Sequence, residues 1–211
     1  MKIAILGAGN IGGTLGRKWA AAGHEVVFGV RDPGSAKARA ALESAGTGAR
    51  AASLAEAAAF GEVVLFSIPS GTVAETARAL GRVLDGKILI DATNNFAGPV
   101  INSLAALQAV APGANLFRAF NSLGWELFAN PILDGQQVDM FYSGPDGESR
   151  RQVETLIAEV GLRPLWVGGN DQVTLVDNLG ALWVNQVFRH SWSRRTALKS
   201  LGVPGTSGRV R

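Results

Sequence analysis

The chain contains no cysteine. Disulfides, zinc–thiolate sites and thiol catalysis are thereby excluded. It has two histidines and one tyrosine among 211 residues, so side chains suited to general acid–base work are few. No apolar run approaches the roughly 18 residues of a membrane-spanning helix, and no membrane partner is expected. Met1-Lys2-Ile3 leads straight into an apolar strand, and Gly7 to Gly13 is the wrong material for a secretion signal, so the expected location is cytoplasmic. With 47% hydrophobic and 18% charged residues, the composition is that of an ordinary globular protein. The formal net charge is +3, with much of the excess near the end, at Arg189, Arg194, Arg195, Lys199, Arg209 and Arg211. No RNA or DNA motif accompanies these cations. They read as the rim of an anionic-ligand site or as a solvated helix end and tail, and no nucleic-acid partner is expected.

What is present is concentrated in the first thirty-two residues. Met1 to Leu6 is an apolar run suited to a buried parallel strand. Gly7-Ala8-Gly9-Asn10-Ile11-Gly12 follows at once and is a GxGxxG. The first glycine serves the tight turn. Gly9 leaves room for a pyrophosphate against the backbone, and Gly12 allows close helix–strand packing. Gly12, Gly16 and Ala20 form a small-residue stripe on the next helix, beside an apolar stripe of Ile11, Leu15 and Trp19. Gly23 and a second strand, Glu25 to Val30, complete a dinucleotide-binding strand–loop–helix–strand.

The tip of the second strand selects the cofactor. Arg31 offers a planar, permanently charged fork to a 2′-phosphate, with Ser35 adding a hydroxyl and Lys37 a charge. This pattern favours NADP, while Asp32 keeps NAD open, because an acidic residue here binds a ribose 2′-OH.

Strands and helices then alternate. Helices are expected over Ser35 to Ala45, Leu54 to Phe60 (with Ser53 and Glu56 in a capping-box arrangement) and Gly71 to Leu84. Strands are expected at Ala49 to Ala52, Glu62 to Ser67 and Lys87 to Asp91. The pattern is α/β, a doubly wound Rossmann-type parallel sheet with strand order 3-2-1-4-5 and onward. Ser67, Ile68 and Pro69 end the fourth strand, and Thr93 and Asn94 follow the fifth. These groups fall where ligands bind in open α/β sheets, and Ile68 suits the nicotinamide ring. Asn115 to Phe120 is the sixth strand, ending in Asn121, Ser122 and Leu123. Asn130 to Gln137 reads as a loop. Strands at Val138 to Ser143 and Arg163 to Val167 flank a helix, Glu148 to Val160, capped by Asp146. Continuation of the sheet at its far edge is the simplest place for both. From Asp171, apolar residues recur at helical spacing through Trp183 and Val187, interrupted by Gly180. Trp183 could face a flat ring or pack in a core. Residues 1–169 are thus expected to form the dinucleotide-binding domain with an extended sheet. Residues 170–211 are expected to form a small C-terminal helical lobe, with Val203 to Arg211 a loose tail.

The stretches GAGNIGGTLGRKWAAAGHEVVFGVRDP, SIPS, DATNN, AFNSLG and YSGPDGES…LIAEVGLRPLWVGG together resemble the NADPH-dependent deazaflavin-coenzyme (coenzyme F-420) oxidoreductases and their bacterial relatives. The resemblance spans roughly residues 1 to 190. One departure is Val30, where relatives often carry Ser. The resemblance implies a Rossmann domain holding NADP, a small C-terminal lobe completing a cavity, and a homodimer. It implies Ala8 to Ile11 at the pyrophosphate, Arg31 at the 2′-phosphate, and Ile68 and Pro69 beside the nicotinamide. Asn94, Ser122 and Leu123 would edge the acceptor pocket.

Hydride transfer between a nicotinamide and a flavin-like ring needs two stacked rings and exclusion of water. Carbonyl or imine reduction usually needs a placed proton donor as well. His24 is expected in a turn, His190 late in the terminal helix, and Tyr142 on a sheet edge. The leading expectation is therefore an NADPH oxidoreductase whose partner is a small redox acceptor, deazaflavin or flavin. A small-substrate dehydrogenase or imine reductase, and a non-catalytic NADP-binding sensor, are the alternatives.

Overall fold

The computed structural model describes residues 1–202. The loose tail expected at 203–211 lies outside the described residues. The chain runs β1 (Lys2–Leu6), α1 (Asn10–Ala21), β2 (Glu25–Gly29), α2 (Ala36–Ala45), β3 (Ala49–Ala52), α3 (Leu54–Phe60), β4 (Val63–Phe66), α4 (Val73–Leu80), β5 (Ile88–Asp91), α5 (Leu104–Val110) and β6 (Asn115–Arg118). Then follow α6 (Trp125–Ala129), β7 (Ile132–Leu133), β8 (Gln136–Gln137), β9 (Asp139–Tyr142), α7 (Glu148–Glu159), β10 (Arg163–Trp166) and α8 (Val173–Val184), the last running on into a π-helical turn, Asn185–Arg189.

Six parallel strands lie in the order β3-β2-β1-β4-β5-β6. This is the doubly wound sheet expected from the strand–helix alternation. Both faces are covered, which is why the strands read as continuous apolar runs rather than alternating ones. Successive side chains still point to opposite faces. Ile3, Ile5, Val26, Phe28, Leu65, Ile90 and Phe117 share one core with Leu15 and Trp19 of α1 and Val153, Leu156 and Ile157 of α7. Ala4, Leu6, Val27, Val64, Phe66, Leu89 and Leu116 share the other with α3, α4 and α5. Trp19 and Leu15 are fully buried, and a Cβ at Gly16 would collide with the Phe28 ring, so small residues set the α1–sheet approach. Ser53 and Glu56 form the expected capping box at α3.

Three local expectations are corrected. First, β9 and β10 do not extend the main sheet; they form a separate parallel pair. Ser143, just past β9, meets Arg118 in a single antiparallel bridge. A Cβ on Gly144 would overlap the Phe117 ring, so only glycine lets the chain pass this close to β6 after that single bridge. Second, Asn130 to Gln137 is not merely a loop. It holds the short antiparallel pair β7–β8, turned by Asp134 and Gly135, both with positive φ. Asp-Gly is a sequence signal for such a two-residue turn. Third, Asp146 does not cap α7. Its N-cap is Gly147, without a side-chain cap; Asp146 Oδ1 accepts from the adjacent Gly147 N–H and pairs with Arg150 Nη1 at 3.2 Å. Tyr142 ends β9, an edge strand of the two-stranded β9–β10 pair as expected; it is nonetheless fully buried, and its hydroxyl donates to Glu154.

Candidate dinucleotide site

The glycine-rich turn is built by close approach of backbone to backbone. Gly7 has φ +106°, and a Cβ there would stand 2.7 Å from the Ser67 carbonyl oxygen. Ser67 Oγ donates to the carbonyls of Leu6 (3.0 Å) and Gly7 (3.3 Å), bracing the turn from β4. A Cβ on Gly12 would stand 2.6 Å from Ser67 Oγ and closer still to the Gly7 carbonyl. Gly9 differs: a Cβ there would meet nothing within 4 Å. It is the N-cap of α1 and provides no side-chain cap. The first-turn N–H groups of Asn10, Ile11 and Gly12 are thus left without a capping oxygen, beside open space. That arrangement fits a pyrophosphate, which a 12-residue helix attracts through those N–H groups and its dipole.

Ala8 and Ile11 are half-buried and Asn10 is exposed beside the turn. A groove of about 250 Å³ opens here, lined by Ala8, Gly9, Asn10, Arg17, Lys37 and Trp125 among others. Arg31 is exposed just past β2. Asp32 is engaged locally, with Oδ1 accepting from the Gly34 N–H at 2.9 Å. Ser35 is the N-cap of α2, its Oγ accepting from Ala38 N–H.

At the other end of the crevice, Ile68 is half-buried and Pro69 exposed. Thr93 is buried, and its hydroxyl donates to Asp91 Oδ1 at 2.7 Å. Asn94 donates from Nδ2 to the Asn121 carbonyl (2.9 Å) and accepts at Oδ1 from Arg118 Nη2 (2.6 Å). Asn121, Ser122 and Leu123 are buried. Asn121 Nδ2 donates to the Val176 carbonyl at 3.3 Å, and its Oδ1 is buried without a partner among the described residues. Gly180 of α8 lies against Asn121, where a Cβ would approach its carbonyl to 3.1 Å. Trp183 is buried, donates to the Thr196 carbonyl, and has Arg194 over its ring. It therefore serves the packing of the 190–200 segment.

Sequence reasoning missed Arg118, which sits at the centre of this end. Its side chain is fully buried at the last position of β6. Nε donates to Asp177 Oδ1 of α8 at 2.8 Å, and Nη1 lies 3.4 Å from Asp91 Oδ2. Nη1 also donates to the Asp91 and Thr93 carbonyls. Asp91 Oδ2 accepts from Ser103 N–H, and Asp177 Oδ2 accepts from Asn102 Nδ2, each at 2.7 Å. The signal in the sequence was a lone arginine inside NLFRAF and a lone aspartate inside VTLVDNLGALWV, both in otherwise apolar elements. Buried charges of this kind are paired.

The side chains suited to proton transfer are engaged elsewhere. His24 bonds the N-terminal ammonium (3.0 Å) and Glu159 (2.7 Å). Lys87 donates to the carbonyls of Ala58, Ala59 and Gly61 at the end of α3, and burial pushes its pKa down. Burial and the adjacent Glu154 push the Tyr142 phenol well above its usual range.

Sheet order and glycine-rich turn together define a Rossmann-type dinucleotide-binding protein. Residues 2–95 match the family described as NADP oxidoreductase, coenzyme F420-dependent. A protein from Arthrobacter sp. FB24, described as a candidate F420-dependent NADP-reductase, superposes with TM-score 0.77 at 25% identity, over 90% of this chain and 95% of that one. A hypothetical protein from Sinorhizobium meliloti gives TM-score 0.67 at 27% identity, over 80% and 85%. The imine reductase from Aspergillus terreus shares the fold (TM-score 0.66, 22% identity); 90% of this chain covers 64% of that one. The family resemblance read from the motifs is borne out over residues 2–95, and the solved structures share the fold over most of the chain.

Proposed function

We propose that the protein passes a hydride between NADPH and a flavin-like ring acceptor, deazaflavin first. The observation that carries this reading is the state of the proton donors. Among the described residues His24, Tyr142 and Lys87 are each bonded into structural contacts, and His190 is exposed beyond α8. A ring-to-ring transfer needs orientation and dryness from the protein, not a placed acid. The family match, whose description includes coenzyme F420, supports the same acceptor class.

In this reading the α1 N-terminus and Gly9 hold the pyrophosphate, and Arg31, with Ser35 nearby, holds the 2′-phosphate. Gly7, Gly12 and Ser67 shape the turn that presents those N–H groups. Ile68 and Pro69 flank the nicotinamide, with Thr93 and Asn94 supplying the floor behind it. Asn121, Ser122 and Leu123 edge the acceptor side, and Trp183 fixes the segment that closes it. When bound, NADPH supplies the hydride; the chain orients it and excludes water. Of the proposed lobe 170–211, the part from 170 to 202 closes this end over the domain formed by 1–169. The reading includes a cytoplasmic homodimer. The apolar side chains exposed on and after α8, Leu175, Leu182, Phe188 and Trp192, support the dimer.

The test is NADPH oxidation by the purified protein with deazaflavin coenzyme, FMN, FAD or no acceptor. Rapid turnover with a ring acceptor is expected. Confirmed NADPH binding with no turnover on any ring would overturn the reading in favour of an imine or carbonyl substrate, or of sensing.

A further inference from the structure

The Asp91–Arg118–Asp177 cluster has more negative than positive charge. Two carboxylates face one guanidinium, which gives a formal net charge of −1. The side chains of Arg118 and Asp91 are wholly buried and that of Asp177 is 8% exposed. Water therefore screens this charge poorly, and its field reaches further than that of a surface ion pair.

Its place in the fold is the reason to look beyond stability. Asp91 is the last residue of β5 and Arg118 the last of β6. In a doubly wound sheet the nicotinamide half lies across these strand ends. Arg118 also holds Asn94, which in turn holds Asn121. The charge and the polar floor are thus one unit. Asp177, its second carboxylate, comes from α8, so the C-terminal helix supplies the excess charge.

We propose that this buried anionic triad biases the site toward the oxidised, positively charged nicotinamide ring, with Asp177 as a positioning and charge-setting residue. The inference rests on the nucleotide reading given above, but not on the identity of the acceptor. Hydride departure leaves the nicotinamide ring cationic. A fixed negative charge at these strand ends would favour that state without reorganisation, because it is preorganised by hydrogen bonds. A hydrogen-bonded but neutral floor would hold the ring without favouring either redox form.

The test compares three ligands by calorimetric titration: NADP+, NADPH, and 2′-phospho-ADP-ribose, which lacks the nicotinamide. Asp177→Asn keeps the shape and a hydrogen-bonding oxygen while removing one charge. It is expected to weaken NADP+ relative to NADPH by roughly threefold or more, with 2′-phospho-ADP-ribose changed by less than about twofold. Asn102→Ala, which removes a bond to Asp177 but no charge, should leave the NADP+/NADPH ratio where it was. An equal loss for all three ligands, or no change in the ratio, overturns the inference and makes the triad purely structural. If Asp177→Asn does not fold, Asp91→Asn removes the same charge from the β5 side and is read the same way. A protein that turns over no ring acceptor but shows the ratio shift loses the proposed acceptor and keeps this inference. One that turns over a ring and shows no shift does the reverse.

Discussion

Gly12 lies so close to Gly7 that a Cβ on the first would overlap the carbonyl oxygen of the second, whereas a Cβ on Gly9, between them, would face empty space. The two glycines of one motif are therefore required for different reasons. Gly12→Ala should destabilise the fold by about 2 kcal/mol or more, since neither the Gly7 backbone nor Ile5 beneath can move cheaply. Gly9→Val should leave the melting temperature nearly unchanged and abolish nucleotide binding. Thermal melts with and without NADPH check both. Normal binding by the Gly9→Val protein would remove the turn from the site.

Arg31 stands exposed at the tip of β2. Its loss should be felt by the 2′-phosphate alone. Arg31→Ala is expected to weaken NADPH by about 10- to 100-fold while NADH changes little, a charge-assisted contact being worth roughly 1.5–3 kcal/mol. Titration with both nucleotides decides it; equal losses would move the 2′-phosphate contact to another residue.

Asp139 anchors the 190–200 segment. Burial pushes its carboxyl pKa up, but hydrogen bonds from Arg163, the Ser200 N–H and Lys199 outweigh burial and hold it below the usual carboxylate range. A folded-state pKa below the unfolded value gives stability that is present above the unfolded pKa, about 3.9, and is lost as pH falls through the folded one. Melting temperature should therefore fall below about pH 4 in the unaltered protein. Asp139→Asn should melt lower already at pH 7 and show a shallower acid loss. Parallel acid profiles for the two would show that the anchor contributes nothing.

Leu175 and Leu182 sit seven residues apart on α8, exposed on one face, with Phe188 and Trp192 beyond. If this face forms the proposed dimer, the unaltered protein should sediment as a dimer in analytical ultracentrifugation and Leu182→Glu combined with Phe188→Glu as a monomer. An unchanged sedimentation coefficient would place the interface elsewhere.

The main sheet was legible because each signal was local. Four- to five-residue apolar runs bounded by Gly, Pro or Asn fix β1, β2, β4 and β5, and the GxGxxG fixes the turn between β1 and α1. The β7–β8 hairpin was missed and its stretch read as a loop: Asp134-Gly135 signals the turn, but the strands, Ile132–Leu133 and Gln136–Gln137, are two residues each and too short to show any pattern. The position of β9 and β10 was not legible. Their apolar pattern says that they pair, not with what, and the close approach of Gly144 to Phe117 beside β6 joins residues distant in sequence.

The candidate site divides in the same way. The sequence by itself marked out the proposed nucleotide end, because consecutive backbone N–H groups and one strand tip suited to phosphates all fall within residues 7–35. Only the tertiary structure decided the other end. Asp91, Arg118 and Asp177 lie on three separate elements, and a lone charge in an apolar element does not say which partner it finds; burial makes them a unit, since each charge removed from water there must find its partner across the fold.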